Sequence, residues 1–125
     1  MGAAASEPLD PEVVASLIEL GEEGGESILK VLAGIFIHEE GPACLSRIEA
    51  AFQAGDLEDL AEGAHKLKGG AAQLGAGHLR QLCADLESQS RGGDISNAAD
   101  LLRAISAEIA RVYAALEAEV TALGH

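Results

Sequence analysis

Tryptophan is missing, and one tyrosine and two phenylalanines make up the whole aromatic complement, 2% of the 125 residues. Bases are scarce as well: 8 Lys and Arg stand against 21 Asp and Glu, a formal net charge of −13. So anionic a surface repels phosphate backbones and acidic headgroups, which excludes general nucleic-acid binding and docking to anionic membranes. Only two cysteines occur, Cys44 and Cys83, and without a Cys-x-x-Cys they match no metal spacing. Two buried, reduced thiols in a cytoplasmic protein are expected. No apolar run approaches the ~18 residues of a membrane span, and no charged segment followed by an apolar one marks a secretory leader. Met1-Gly2-Ala3-Ala4-Ala5-Ser6 fits the loose N-myristoylation pattern, but no polybasic stretch follows to give a second anchor. Other proteins are left as the expected partners.

What is present is helical in character. Hydrophobic residues are 48%, much of that share Ala and Leu, which lose little on entering a helix. The length suits one domain able to bury about two-thirds of its unfolded surface. Residues 1–8 read as a disordered lead and 9–123 as a single domain. Asp10-Pro11 starts a short helix as cap and first residue, with Val14, Leu17 and Ile18 on one face and an end at Gly21. A longer pattern carries Ile28, Leu32, Ile35 and Phe36, resumed by Cys44, Leu45, Ile48 and Phe52. Gly41-Pro42 lies between these halves, where proline either kinks one helix or separates two. Gly55-Asp56 closes that element and caps the next, which turns Leu57, Leu60, Ala64, Leu67, Ala71 and Leu74 inward. After a break at Gly75-Ala76-Gly77 come Leu79, Leu82, Cys83 and Leu86, stopping at Gly92-Gly93. The last pattern starts near Asp94–Ser96 and runs Leu101, Ile105, Ile109, Val112, Leu116, Val120, Leu123, alternating steps of three and four. Short connections between long amphipathic helices imply antiparallel neighbours. The expected fold is all-α: an up-down four-helix bundle with a short additional N-terminal helix.

Four histidines are the candidates for chemistry. His125 is the last residue and expected to be mobile; His38 lacks a second histidine at i+4; His78 opens a helix. His65 differs. On a helical wheel it points roughly 150° away from Leu60, Leu67, Ala71 and Leu74, into solvent. Lys68 and Gly69 lie at i+3 and i+4, where they meet it across one turn. Gly63, Gly69 and Gly70 interrupt this helix at about 1 kcal/mol each relative to Ala. Gly63 and Gly70 lie nearer the core and read as packing residues, whereas Gly69, ~40° from His65, reads as clearance for something approaching the ring. From Gly63 to Ala84 there is no acidic residue, while Lys66, Lys68 and Arg80 fall inside that stretch. A basic island beside an exposed imidazole, in so acidic a chain, suits a phosphoryl group.

The string His65-Lys66-Leu67-Lys68-Gly69-Gly70-Ala71-Ala72-Gln73-Leu74-Gly75-Ala76 resembles the signature of the histidine-containing phosphotransfer (HPt) domains of two-component phosphorelays. The likeness extends to Ala64, to the Ala54-Gly55-Asp56 turn, and to Leu79, Leu82 and Leu86-Glu87. It implies a four-helix bundle whose His65 accepts a phosphoryl group from a receiver-domain aspartate and passes it to another receiver. Lys68 would neutralise the phosphate and Gly69 would give access, with Gln73, Glu87 and Arg91 supporting or flanking the site. Gly70 departs from the family, which often has serine there. Imidazole is a fitting carrier, since near neutral pH one nitrogen is free to attack an acyl phosphate. No phosphate-binding glycine-rich loop of the ATP-using kinds is present, so a carrier without kinase activity of its own is expected. The chain is expected to bind no cofactor or metal, the divalent ion belonging to the receiver. Response-regulator receivers, and a hybrid histidine kinase as a second class, are the implied partners of a monomer. The rival reading is a non-catalytic helical adaptor in which the histidine is incidental.

Overall fold

Asp10 caps the first helix as the Asp-Pro pair predicts: its carboxylate accepts the Glu12 N–H at 2.9 Å, and Pro11, with no N–H to satisfy, is the first helical residue. The computed structural model describes residues 7–24 and 27–124. Most of the expected lead, residues 1–6 with their acylation-like pattern, lies outside them, as does His125. The described residues are all-helical: α1 (Pro11–Gly24), α2 (Ile28–Ile35), a π-helical stretch (Phe36–Glu40), α3 (Gly41–Ala54), α4 (Leu57–Gln73), α5 (Gly77–Gly92) and α6 (Ala98–Ala122). None of these is long and apolar enough to cross a membrane.

Pro42 does not separate the second element into two helices. The chain stays helical from Ile28 to Ala54, and the irregularity is taken up just before the proline, where the Gly41 N–H reaches five residues back to the Phe36 carbonyl. In an ordinary helix the proline ring would collide with the carbonyl four residues earlier. The π turn, one residue wider, takes the chain off that geometry. The buried residues show the extra residue: Leu29, Ala33 and Phe36 follow steps of four and three, then a step of five leads to Gly41, Cys44, Ile48 and Ala51.

Two other boundaries differ from the sequence reading. α1 continues past Gly21 to Gly24, because Gly21 sits buried inside the helix and does not end it. α6 begins at Ala98, since Asp94 spends its carboxylate on the Ser96 N–H (3.2 Å) and hydroxyl (2.8 Å), a local turn that delays the helix. The α4–α5 connection turns on Gly75, whose φ of 76° suits glycine, and a Cβ there would lie 2.8 Å from that of Val13. The Asp10 N–H donates to the Gly75 carbonyl at 2.8 Å, so the start of α1 is tied to this turn.

α4 is the element that positions the site. Asp56 caps it, accepting the Asp59 N–H at 3.1 Å. Leu60, Ala64, Leu67, Ala71 and Leu74 are buried with the inner residues of α3, α5 and α6, while Leu57 is half-buried. The start of α4 meets α3, where Asp59 bonds Arg47 and Gly63 lies against Ile48 and Arg47, and its later part meets the preceding π stretch, where Gly70 lies against Phe36 and Glu40, so the two runs are antiparallel. The pairing of α4 with α5 is of the same kind, Glu62 meeting Arg91 and His65 meeting Glu87. α5 in turn packs on α6, and α2 and α3 also touch α6.

Candidate functional site

His65 stands on the outer face of α4 with 59% of its side chain exposed, while Ala64 and Leu67 on either side of it are buried. Glu87 of α5, only 13% exposed, lies at the centre of the polar groups around it. One carboxylate oxygen, Oε2, is 3.0 Å from His65 Nδ1 and also accepts from Arg91 Nε and Nη2 at 3.2 and 3.1 Å. The other, Oε1, pairs with Lys68 Nζ at 2.7 Å. Arg91 Nη2 lies 3.6 Å from Glu62 Oε2 as well, which brings a second carboxylate to the cluster from the turn before His65.

The hydrogen bond from Lys68 above all, with those from Arg91 and His65, holds the Glu87 carboxyl below the ordinary range, against the desolvation that acts the other way. An ionised carboxylate can only accept a hydrogen bond, so the contact requires Nδ1 to carry the hydrogen and donate it. The lone pair is then on Nε2, away from Glu87. Such an imidazole has its tautomer set by its neighbour, and its free lone pair is of the kind that can act as a nucleophile.

The three glycines of α4 differ in what surrounds them. A Cβ at Gly63 would lie 3.0 Å from Ile48 Cγ1, and one at Gly70 3.1 Å from Phe36 Cε1 and 2.7 Å from Glu40 Oε1. At Gly69 a Cβ would meet nothing within 4 Å, so the surface beside His65 is open.

The structure thus brings together His65, Lys68, Glu87 and Arg91, with Gly69 beside them. Lys66 is exposed and points elsewhere; its charge reaches Cys44 on α3, whose thiol is pushed up mainly by burial. Arg80 lies seven residues before Glu87, about 10 Å along α5, lining a hollow with Ala72, His78 and the start of α1. Gln73, at the far end of α4, is exposed and joins no hydrogen bond to the cluster. His78 approaches the buried Glu108 at 3.5 Å, a carboxylate also bound by Arg111 at 2.7 Å, and His38 is exposed in the π stretch. Among the described residues no group of three or more His, Cys, Asp and Glu could hold a metal ion. Glu62 is the member the sequence reading omits. Its only signal is its place three residues before His65, and its link to Arg91 depends on the α4–α5 register, which no local pattern encodes.

Residues 32–123 match the family model of the Hpt domain. The chain belongs to the Hpt domain family. Among solved structures, this Hpt domain is similar to the crystal structure of histidine-containing phosphotransfer protein B (HptB) from Pseudomonas aeruginosa PAO1. The TM-score is 0.81 at 34% identity, over 90% of this chain and 93% of that one. Comparison with curated protein sequences finds no match. As an Hpt domain the protein is a histidine phosphotransfer protein of phosphorelay signalling, a phosphocarrier rather than a classical enzyme. Proteins of this kind interact with receiver domains and histidine kinases.

Proposed function

We propose that His65 is the phosphoacceptor of this Hpt domain, that Lys68 and Arg91 neutralise the phosphoryl group, and that Gly69 leaves the approach open. The observation that carries the reading is the 3.0 Å contact between His65 Nδ1 and Glu87, which leaves Nε2 as the nucleophile on an exposed ring. Nε2 attacks the phosphorus of a receiver's aspartyl phosphate; the N–P bond forms as the P–O bond breaks, and its electron pair returns to the carboxylate oxygen. The ring then carries a positive charge, with the Nδ1 proton held against Glu87. Transfer onward is the reverse, with a second receiver's carboxylate as the attacking group. Positioning and charge are all that this chain need contribute.

The wider reading follows from the same parts. The four long helical runs form an up-down bundle, with α1 as the additional helix, within a single domain of residues 9–123. The protein works as a cytoplasmic monomer, binds no cofactor, metal, nucleic acid or membrane, and has no kinase activity of its own. The receiver brings the aspartate and the divalent ion.

Incubation with a phosphorylated receiver, followed by mapping of the labelled residue, tests the assignment. Label on His65, and none on His65→Gln, is the expected result. Label retained by His65→Gln overturns it, and a receiver that binds the parental chain without labelling it supports the adaptor reading instead.

A further inference from the structure

Glu62 lies one turn before His65 on α4, with 52% of its side chain exposed; it stands 3.6 Å from Arg91, and its charge also reaches Arg47 on α3. Together with Glu87 it brings two carboxylates to a cluster whose cations are Lys68 and Arg91. Before phosphorylation these four charges cancel one another beside His65. A phosphoryl group adds roughly −1.5 to −2. Neither cation is idle: Lys68 Nζ is 2.7 Å from Glu87 Oε1, and Arg91 is shared between Glu87 at 3.1 Å and Glu62. Either can turn to the phosphoryl group only by giving up an existing charge-assisted contact, so the stabilisation it offers is a difference and not a full bond.

We propose that Glu62 is a positioning residue that, by competing for Arg91, leaves phosphorylated His65 under-neutralised and so poises this chain as a phosphoryl donor instead of a phosphate store. The inference rests on His65 as the phosphoacceptor. In donation the acceptor oxygen bonds to phosphorus, the N–P bond breaks, and its electron pair returns to Nε2. The added negative charge leaves the cluster with the phosphoryl group, and the carboxylate beside it favours that departure. Glu62 is the separable part of the device, because its contact is with Arg91 and not with His65 or Glu87, and it is half in solvent.

The full-length chain and its Glu62→Gln and Glu62→Asp variants are equilibrated with phosphoimidazole and imidazole, and the phosphoryl distribution is read by phosphorus NMR. This couple reports the stability of phosphohistidine with no docking partner involved, so a role for Glu62 in contacting a receiver leaves it unmoved. Glu62→Gln should raise the equilibrium constant for phosphorylation by about two- to five-fold at low salt, the worth of an exposed ion pair. The gap should close near 1 M salt, where screening acts over about 3 Å, and Glu62→Asp should stay near the parental value. Equal constants for parent and Glu62→Gln, or a gap indifferent to salt, overturn the inference alone. Failure of phosphoimidazole to label His65 in the parental chain overturns the phosphoacceptor reading, and this one with it.

Discussion

Glu87 on α5 holds His65 on α4 by its Nδ1, at 3.0 Å, and so decides which ring nitrogen is left to react. The same carboxylate is the counter-charge of Lys68 and Arg91. Site chemistry and local stability therefore depend on one ionisation, and that ionisation has a pH signature.

The Glu87 carboxyl is held below the ordinary range in the fold, foremost by its hydrogen bond from Lys68. Over that interval the unfolded chain binds more protons than the folded one, so stability rises with pH. The contribution is complete above the ordinary carboxylate pKa and is lost as pH falls through the folded value. Glu87→Gln should be less stable than the parent at pH 7, by about 1–2 kcal/mol. The gap should narrow as the pH is lowered from about 5. Thermal melts of the two proteins across that range check the direction; a gap that widens towards acid contradicts it.

Lys68 and Lys66 are two residues apart, yet only Lys68 reaches Glu87. Lys68→Ala should slow phosphoryl acceptance from a receiver by up to about ten-fold, less than the ~1.5–3 kcal/mol of a full charge-assisted bond, because the lysine gives up its contact with Glu87 to reach the phosphoryl group. Lys66→Ala should stay within about two-fold, as an exposed charge outside the cluster. Single-turnover transfer rates compare the two, and equal losses would mean that only the general field of the lysines matters.

Gly69 and Gly70 are neighbours with opposite expected responses. Gly69→Ala adds a Cβ that meets nothing and should raise stability by up to ~1 kcal/mol through helix propensity. Gly70→Ala should be destabilising, because its Cβ would press on Phe36 Cε1 at 3.1 Å and overpacking costs about 1–3 kcal/mol. Gly69→Leu should remain folded and accept phosphate from phosphoimidazole while losing most transfer from a receiver, a bulky partner that the new side chain obstructs. Melting temperatures and the two transfer assays separate these outcomes.

Much of this was legible because it is written locally. Asp10-Pro11, Gly55-Asp56 and Gly92-Gly93 mark ends that backbone chemistry alone decides, and the inward residues of α4 follow from their spacing. The string from His65 to Gly69 needed only the order of its residues. What was not legible depends on register between helices. Lys66, Lys68 and Arg80 form one basic stretch in the sequence, but the helical twist turns Lys66 aside and the α4–α5 turn puts Arg80 at the other end of the face. Glu62 arrives instead, paired with Arg91, which only the family resemblance had placed beside the site. The π turn was hidden for a related reason: Gly41-Pro42 reads as an interruption, and the five-residue step that absorbs it shows only once the buried face is known.

Burial pushes the Cys83 thiol up to about 12, with the nearby Cys44 adding to the effect. Both side chains are buried and reduced. In the folded protein at pH 8 neither should react with a thiol-specific disulfide reagent except through opening, since the thiolate is the reactive form. Reaction should become complete within mixing time in urea. A fast phase in native buffer would show that one of the two is reached without unfolding.

The π turn gives α2 and α3 one residue more than an ordinary helix would need to keep both buried faces aligned. Glu39, exposed within that turn, is therefore a spare. Deleting it would restore a step of four between Phe36 and Gly41 and leave the flanking faces aligned, but it would also set Pro42 into an unrelieved helix, at ~3 kcal/mol. The proline and the surplus residue are consequently coupled: deletion of Glu39 is tolerable only where Pro42 is replaced with it, by a residue that an ordinary helix accepts.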